Sequence, residues 1–157
     1  RKGTRLVLCG DLNVAREERD VHPSLRNPDQ VGQTPAERAL LEGIVGHGLT
    51  DLSRKFHPDD DQLFSWWAPW RNLKQRNIGW RLDYVLASTV GLAQAAAGCE
   101  VQRETGTSDH GPVVATFDLP RPVRPSPDRP GPSAETAAKT AAEGGKEAPG
   151  PTQLPLL

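Results

Sequence analysis

The chain contains no methionine, the residue with which a complete translation product normally begins, and it opens on the strand-like run Leu6-Val7-Leu8-Cys9 with no lead-in. We therefore expect a C-terminal piece of something longer. Cysteine is scarce. Cys9 and Cys99 each lie in an apolar run and read as two buried thiols, and no Cys-x-x-Cys pair supports a zinc ribbon or a redox motif. Long hydrophobic runs are missing as well. The opening run is too short for a signal peptide or a membrane span, so an intracellular, soluble protein with no membrane partner is expected. A net charge of −1 advertises no polyanionic partner. Acidic residues are locally absent, however. Gln62 to Leu82 holds none, yet carries Arg71, Lys74, Arg76 and Arg81 together with Trp66, Trp67, Trp70 and Trp80. Cations interleaved with aromatics suit a phosphate backbone with exposed base or sugar faces. The plainer alternative makes the tryptophans core and the cations a solvated rim, more so for Trp66 and Trp67 than for Trp70 and Trp80.

What the chain has in excess sits at its end. Pro120 to Leu157 holds nine of the 15 prolines and no aromatic residue. Such a segment buries too little apolar area to offset the entropy of ordering. We expect a folded part at residues 1–119 and a disordered Pro/Ala-rich tail at 120–157, with at most a transient helix over Ser133 to Glu143.

The pattern predicts a strand over Arg5 to Cys9, stopped by Gly10, and a loop from Asn13 to Thr34. Thr34-Pro35-Ala36-Glu37 reads as a helix start with a capping box. The helix carries a stripe of Ala39, Leu40, Ile44 and Val45 and ends at Gly46 to Gly48. Leu49 to Phe56 is ambiguous. Further strands are expected at Phe64–Trp67, Leu82–Leu86, Cys99–Gln102 and Val113–Phe117, a basic loop at Trp70–Gly79, and a helical piece at Gln94–Ala97. Connections look too short for regular βαβ crossovers, so the expected class is α/β of the α+β kind, a mixed sheet with a flanking helix.

Three polar clusters border the apolar runs: Gly10-Asp11-Leu12-Asn13, Arg81-Leu82-Asp83-Tyr84 and Ser108-Asp109-His110-Gly111-Pro112. If those ends meet, they form an acidic pocket with a titratable imidazole, suited to a divalent cation and a phosphate. Asp11 and Asn13 point the same way if the chain there is extended. The carboxylate then holds a cation or orients a water, and the amide donates to a phosphate oxygen. They are equally ordinary turn residues. Asp109 suits Mg²⁺ or Mn²⁺, and His110 titrates near neutrality and serves as phosphate ligand or general base; the bland reading is a loop cap beside an exposed histidine. His22, His47 and His57 read as surface or loop residues. Asp83 in an apolar strand needs a partner, either Arg81 or His110. A Ser108–His110–Asp83 triad lacks a nucleophile-elbow motif.

Together with Thr34-Pro35-Ala36-Glu37-Arg38, Gly48-Leu49-Thr50-Asp51, Phe64-Ser65-Trp66-Trp67 and Gly79-Trp80-Arg81-Leu82-Asp83-Tyr84, these clusters resemble the C-terminal half of the exonuclease III family of AP endonucleases, within the endonuclease/exonuclease/phosphatase superfamily. The resemblance covers Thr4 to Leu119. It implies half of a four-layered, DNase I-like α/β sandwich and Mg²⁺-dependent (or Mn²⁺-dependent) hydrolysis of DNA 5′ to abasic sites, with 3′-end trimming, by a protein monomeric when whole. Asp11 then resembles the residue that orients water, Asn13 its phosphate-holding partner, Asp109 a metal ligand, His110 the histidine on the scissile phosphate, and Asp83 its support. Asp11, Asn13, Asp109 and His110 make up the expected metal environment. Trp66, Trp67, Arg71, Trp80 and Leu82 make up the expected DNA contacts, with Trp66, Trp80 and Leu82 walling a pocket for the abasic sugar, which has no base left to unstack. The family's N-terminal half, with further metal ligands, has no counterpart here. Two other readings stay open: a phosphoesterase acting on lipid or inositol phosphates, and an inactive DNA-binding fragment.

Overall fold

Five strands and three short helices follow one another in a computed structural model that describes residues 5–120. The strands are β1 (Val7–Asp11), β2 (Leu49–Asp51), β3 (Asp83–Ser88), β4 (Ala96–Val101) and β5 (Val113–Phe117). The helices are α1 (Pro35–Gly46), α2 (Leu52–Phe56) and α3 (Leu92–Ala95). Contacts separate Arg1–Leu119 from Pro120–Leu157, and the expected tail lies, but for Pro120, outside the described residues.

The expected α/β class holds, with its strands in two antiparallel sheets rather than a mixed one, one of three strands in the order β1-β3-β2 and one of β4 and β5. Both β1 and β2 run antiparallel to β3, so they are parallel to each other with α1 between them in the chain. This is a split βαβ crossover, which the spacing did not suggest because β3 slots between its two strands from far along the sequence.

The first strand does not stop at Gly10. It runs on to Asp11, because Gly10 takes φ 143°, open to a residue without Cβ, and still pairs with Tyr84. Asp11 thus sits inside the ladder, directly opposite Asp83. The chain then turns at Asn13, which has φ 54°, and the Asn13 N–H donates to Asp11 Oδ1 at 2.8 Å. This is an Asx turn rather than the extended geometry expected, so the two side chains are related by a turn and not by the pleat.

Helix α1 begins as its sequence predicts. Thr34 Oγ1 accepts the Glu37 N–H, and Glu37 Oε2 accepts from the Thr34 N–H. Its stripe differs from expectation. Leu41 and Val45 pack on Tyr84, Leu86 and Leu49, while Leu40 and Ile44 stay exposed. Leu41 and Val45 are four apart, one turn on one face, and that face alone meets the sheet. Cys9 is exposed on the edge strand rather than buried, whereas Cys99 is buried in the core of Leu52, Val85, Ala87 and Ala93.

The ambiguous stretch Leu49–Phe56 is β2 running straight into α2, with the Asp51 carboxylate accepting the Arg54 N–H as a cap. Phe64–Trp67 is not a strand. Trp66 makes single antiparallel bridges to Trp80 and to His110. It thereby ties the start of β3 to the loop before β5.

Candidate active site

The C-terminal end of β1, the N-terminal end of β3 and the loop before β5 carry the three polar clusters. The Leu12 N–H donates to the Leu82 carbonyl at 2.9 Å, which keeps the chain after β1 against the start of β3. The Tyr84 hydroxyl donates to the Val14 carbonyl at 2.7 Å and accepts the Arg16 N–H at 3.0 Å, so one buried phenol fixes the turn after Asn13. The Trp67 N–H donates to the Asp109 carbonyl, and the Gly111 N–H to the Ser65 carbonyl, which docks the Asp109–His110 loop on the Ser65–Trp67 segment.

His110 Nδ1 lies 2.9 Å from Asp83 Oδ2. Of the two partners offered by the sequence, Asp83 takes the imidazole. Arg81 is fully buried elsewhere, giving Nε and Nη2 to Asp20 at 2.8 Å each and Nη1 to Asp51 at 2.7 Å. The Arg54 guanidinium completes this buried group on Asp20. Burial pushes the Asp20 carboxyl up, but Arg81 and then Arg54 outweigh it and hold it below the usual carboxylate range. Nothing in the polar loop around Asp20 marked it as the anion for Arg81.

Asp109 accepts the Trp66 indole N–H at 3.0 Å, and this bond leads the causes that hold its carboxyl below the ordinary range. Trp66 also packs edge-on against Trp80, centroids 5.8 Å apart, in a cluster with Ala15, Val21, Leu25 and Leu82. Trp80 and Leu82 are buried within that cluster, leaving Trp66 the half-exposed aromatic beside Asp109. Trp67 is 1% exposed with its indole N–H given to Asn77, so it offers no face to a nucleic acid. Trp70, at 59% exposure, and Arg71 do offer themselves, on a loop where Arg71, Asn72 and Asn77 all have positive φ.

Ser108 is no nucleophile here, because its Oγ accepts the His110 backbone N–H at 3.1 Å. The serine on Asp83 is Ser65, whose Oγ donates to Oδ2 at 2.8 Å. Lys74, which its composition placed among phosphate contacts, gives its ammonium to the carbonyls of Ser108 and His110 at 2.8 and 3.3 Å. Ser65 escaped sequence reasoning as a site residue, although it lies inside Phe64-Ser65-Trp66-Trp67.

An open depression of about 450 Å³ runs past Asp83, His110, Gly111 and Thr107. Two carboxylates, Asp11 and Asp83, face each other across β1 and β3, an arrangement that costs stability in a plain sheet. One is answered by His110 and Ser65, the other lies exposed at the edge. Among the described residues, no group of three or more His, Cys, Asp or Glu could hold a metal ion. Oδ1 of Asp11, Oδ2 of Asp109 and Nδ1 of His110 are each turned to protein partners. No helix among the described residues is long and apolar enough to cross a membrane.

Residues 1–110 match the Endonuclease/Exonuclease/phosphatase family. The chain is 36% identical over 109 residues to the DNA repair nuclease APEX1 of Danio rerio, covering 69% of this chain and 35% of that protein. Among solved structures, an AP endonuclease from Archaeoglobus fulgidus superposes with a TM-score of 0.67 at 33% identity, covering 74% of this chain and 46% of that one. A 3′ phosphatase, NExo, from Neisseria, bound to a product DNA hairpin, gives a TM-score of 0.67 at 31% identity over 73% of this chain and 46% of its own. The chain thus spans less than half the length of each of these relatives. With the GDxN turn, the Asp83–His110 pair and the Ser-Asp-His loop meeting at one end of the sheet, it belongs to the endonuclease/exonuclease/phosphatase family.

Proposed function

We propose that this chain carries the phosphate-activating half of a DNA repair nuclease that hydrolyses the phosphodiester 5′ to an abasic site and trims 3′ ends of double-stranded DNA. The observation that carries the reading is the Asp83–His110 pair, 2.9 Å between Oδ2 and Nδ1, set across the ladder from Asp11. An imidazole whose Nδ1–H is held by a carboxylate presents Nε2 to the site. As an imidazolium it donates from Nε2 to a non-bridging phosphate oxygen as charge builds there. Asp11 orients the attacking water. The water gives a proton to the Asp11 carboxylate as its oxygen bonds to phosphorus, the P–O3′ bond breaks, and the departing O3′ takes a proton from solvent water. Asn13 supports the phosphate beside Asp11. Trp66, backed by Trp80 and Leu82, forms the apolar wall for the abasic sugar, and Arg71 with Trp70 meets the flanking backbone and bases.

A Mg²⁺ or Mn²⁺ requirement belongs to this reading through the family resemblance. The donors of the described residues do not complete a site, so no step is assigned to the metal here. The same shortfall favours a second reading for the isolated chain, DNA binding without cleavage. This reading goes with a whole protein that works inside the cell and, by the family resemblance, as a monomer. Nicking of a duplex with one abasic analogue, with Mg²⁺ and with EDTA, by the chain supplied with the part of the Danio rerio relative that the match leaves uncovered, tests the proposal beside inositol and lipid phosphates as competing substrates. Mg²⁺-dependent nicking supports it. Turnover of the small phosphates alone replaces it with the phosphoesterase reading, and a gel shift without nicking leaves only binding.

A further inference from the structure

We propose that Ser65 is a positioning residue for the Asp83–His110 pair: its hydroxyl fixes the carboxylate oxygen that faces the imidazole, and so fixes which nitrogen of His110 carries the proton. The inference rests on the nuclease reading for its consequence, and on the geometry alone for its substance.

A serine hydroxyl has one proton to give and two lone pairs to receive with. Ser65 Oγ receives the Leu82 N–H at 3.0 Å and the Asp83 N–H at 2.9 Å, which uses both. Its single proton is then directed at Asp83 Oδ2, 2.8 Å away. That same oxygen faces His110 Nδ1. Ser65 itself has no freedom. It is fully buried, its N–H donates to the Trp80 carbonyl at 2.9 Å, and its carbonyl accepts the Gly111 N–H at 2.8 Å. One residue therefore grips the first residue of β3, the carboxylate on it and the residue after the imidazole. The terminal torsion of an aspartate is broad, so without the hydroxyl nothing local sets the carboxylate plane. With it set, an ionised Oδ2 accepts from Nδ1–H, and the neutral imidazole keeps Nε2 bare toward the depression.

Long-range ¹H–¹⁵N spectra of the imidazoles in the full 157-residue chain, at one fixed pH where His110 is neutral, read the tautomer directly. His110→Asn identifies the signal. The expected wild-type spectrum is a single Nδ1–H form. Ser65→Ala converts it to a mixture with Nε2–H, and Ser65→Thr, which keeps the hydroxyl, restores it. Should Ser65→Ala not fold, Ser65→Cys carries the same reading, because a thiol is a weak donor. A mixed population there supports the proposal. A wild-type His110 protonated at Nε2 overturns it whatever the variants do, and so does an unchanged Nδ1–H form in folded Ser65→Ala or Ser65→Cys. A chain that gives the expected spectra but does not cleave DNA even when supplied with the part of the Danio rerio relative that the match leaves uncovered refutes the nuclease reading and leaves this inference standing.

Discussion

Asp83 opens β3 with an imidazole and a hydroxyl on the same oxygen, and among the described residues the imidazole ring has no second side-chain partner. Removing either member of the pair should therefore remove most of what the other contributes. In a double-mutant cycle on cleavage rate, Asp83→Asn and His110→Asn should be strongly non-additive, with the double variant close to the worse single one. Additive losses would mean that the two groups act separately. At the rim, Arg71 and Lys74 look alike in sequence but differ in what they hold. Arg71→Ala should weaken DNA binding and reduce the slope of log K against log salt by about 1, as expected for one lost phosphate contact. Lys74→Met should leave that slope nearly unchanged, because its ammonium is spent on the Ser108 and His110 carbonyls. Equal slope changes in titrations of the two variants would return Lys74 to the phosphate-binding surface. The sequence offered the Asp83–His110 pair because a carboxylate in an apolar strand demands a partner. It could not separate Arg71 from Lys74, since a lysine's reach to a carbonyl 34 residues away leaves no local mark.

Among the elements, α1 was the most legible, since a capping box is written in four consecutive residues and acts locally. Phe64–Trp67 was the least. Its apolar run resembles a strand, but Trp66 makes one bridge to Trp80 and one to His110 and neither lengthens into a ladder, with Pro69 shortly after. Gly79 explains why that crossing exists at all. A Cβ there would lie 2.4 Å from the Trp66 carbonyl oxygen and 2.6 Å from the Trp67 indole nitrogen. The glycine is thus required by close approach of two backbones, not by a turn. Gly79→Ala should force Trp66 away from Trp80 and destabilise the fold by roughly 1–3 kcal/mol, the usual range for overpacking. Denaturant melts check this, and an unchanged midpoint would show that the crossing yields easily. Gly43→Ala, where a Cβ meets nothing within 4 Å in the middle of α1, serves as the contrasting control.

At the scale of the molecule, the buried group of Arg81, Asp20, Asp51 and Arg54 joins the polar loop after β1 to β2, α2 and the start of β3. Asp20 has its folded pKa depressed. Its contribution to stability is therefore fully present above the unfolded carboxylate value of about 3.9 and is lost as pH falls through the lower folded value. Asp20→Asn should lose about 3–5 kcal/mol at neutral pH, because two buried guanidinium groups lose a partner, and should flatten the dependence of stability on pH below 4. A pH series of denaturant melts on both proteins reads this. The outer faces tell a different story, for Leu6 just before β1, Val7 and Leu8 on β1, and Leu40 and Ile44 on α1 are exposed, and among the described residues β1 has no partner on its outer edge. Faces of this kind promote association, and the expected half-sandwich is consistent with them. The most direct test joins these scales: cleavage of a single-abasic-site duplex in Mg²⁺ by this chain alone, and by this chain supplied with the part of the Danio rerio relative that the match leaves uncovered. The account predicts little or no nicking by the chain alone, nicking 5′ to the abasic site on supplementation, and a loss of at least about 100-fold with His110→Asn or Asp109→Ala, the scale of a removed catalytic acid or base. Full nicking by the unsupplemented chain in EDTA, or supplemented activity indifferent to both substitutions, would contradict it.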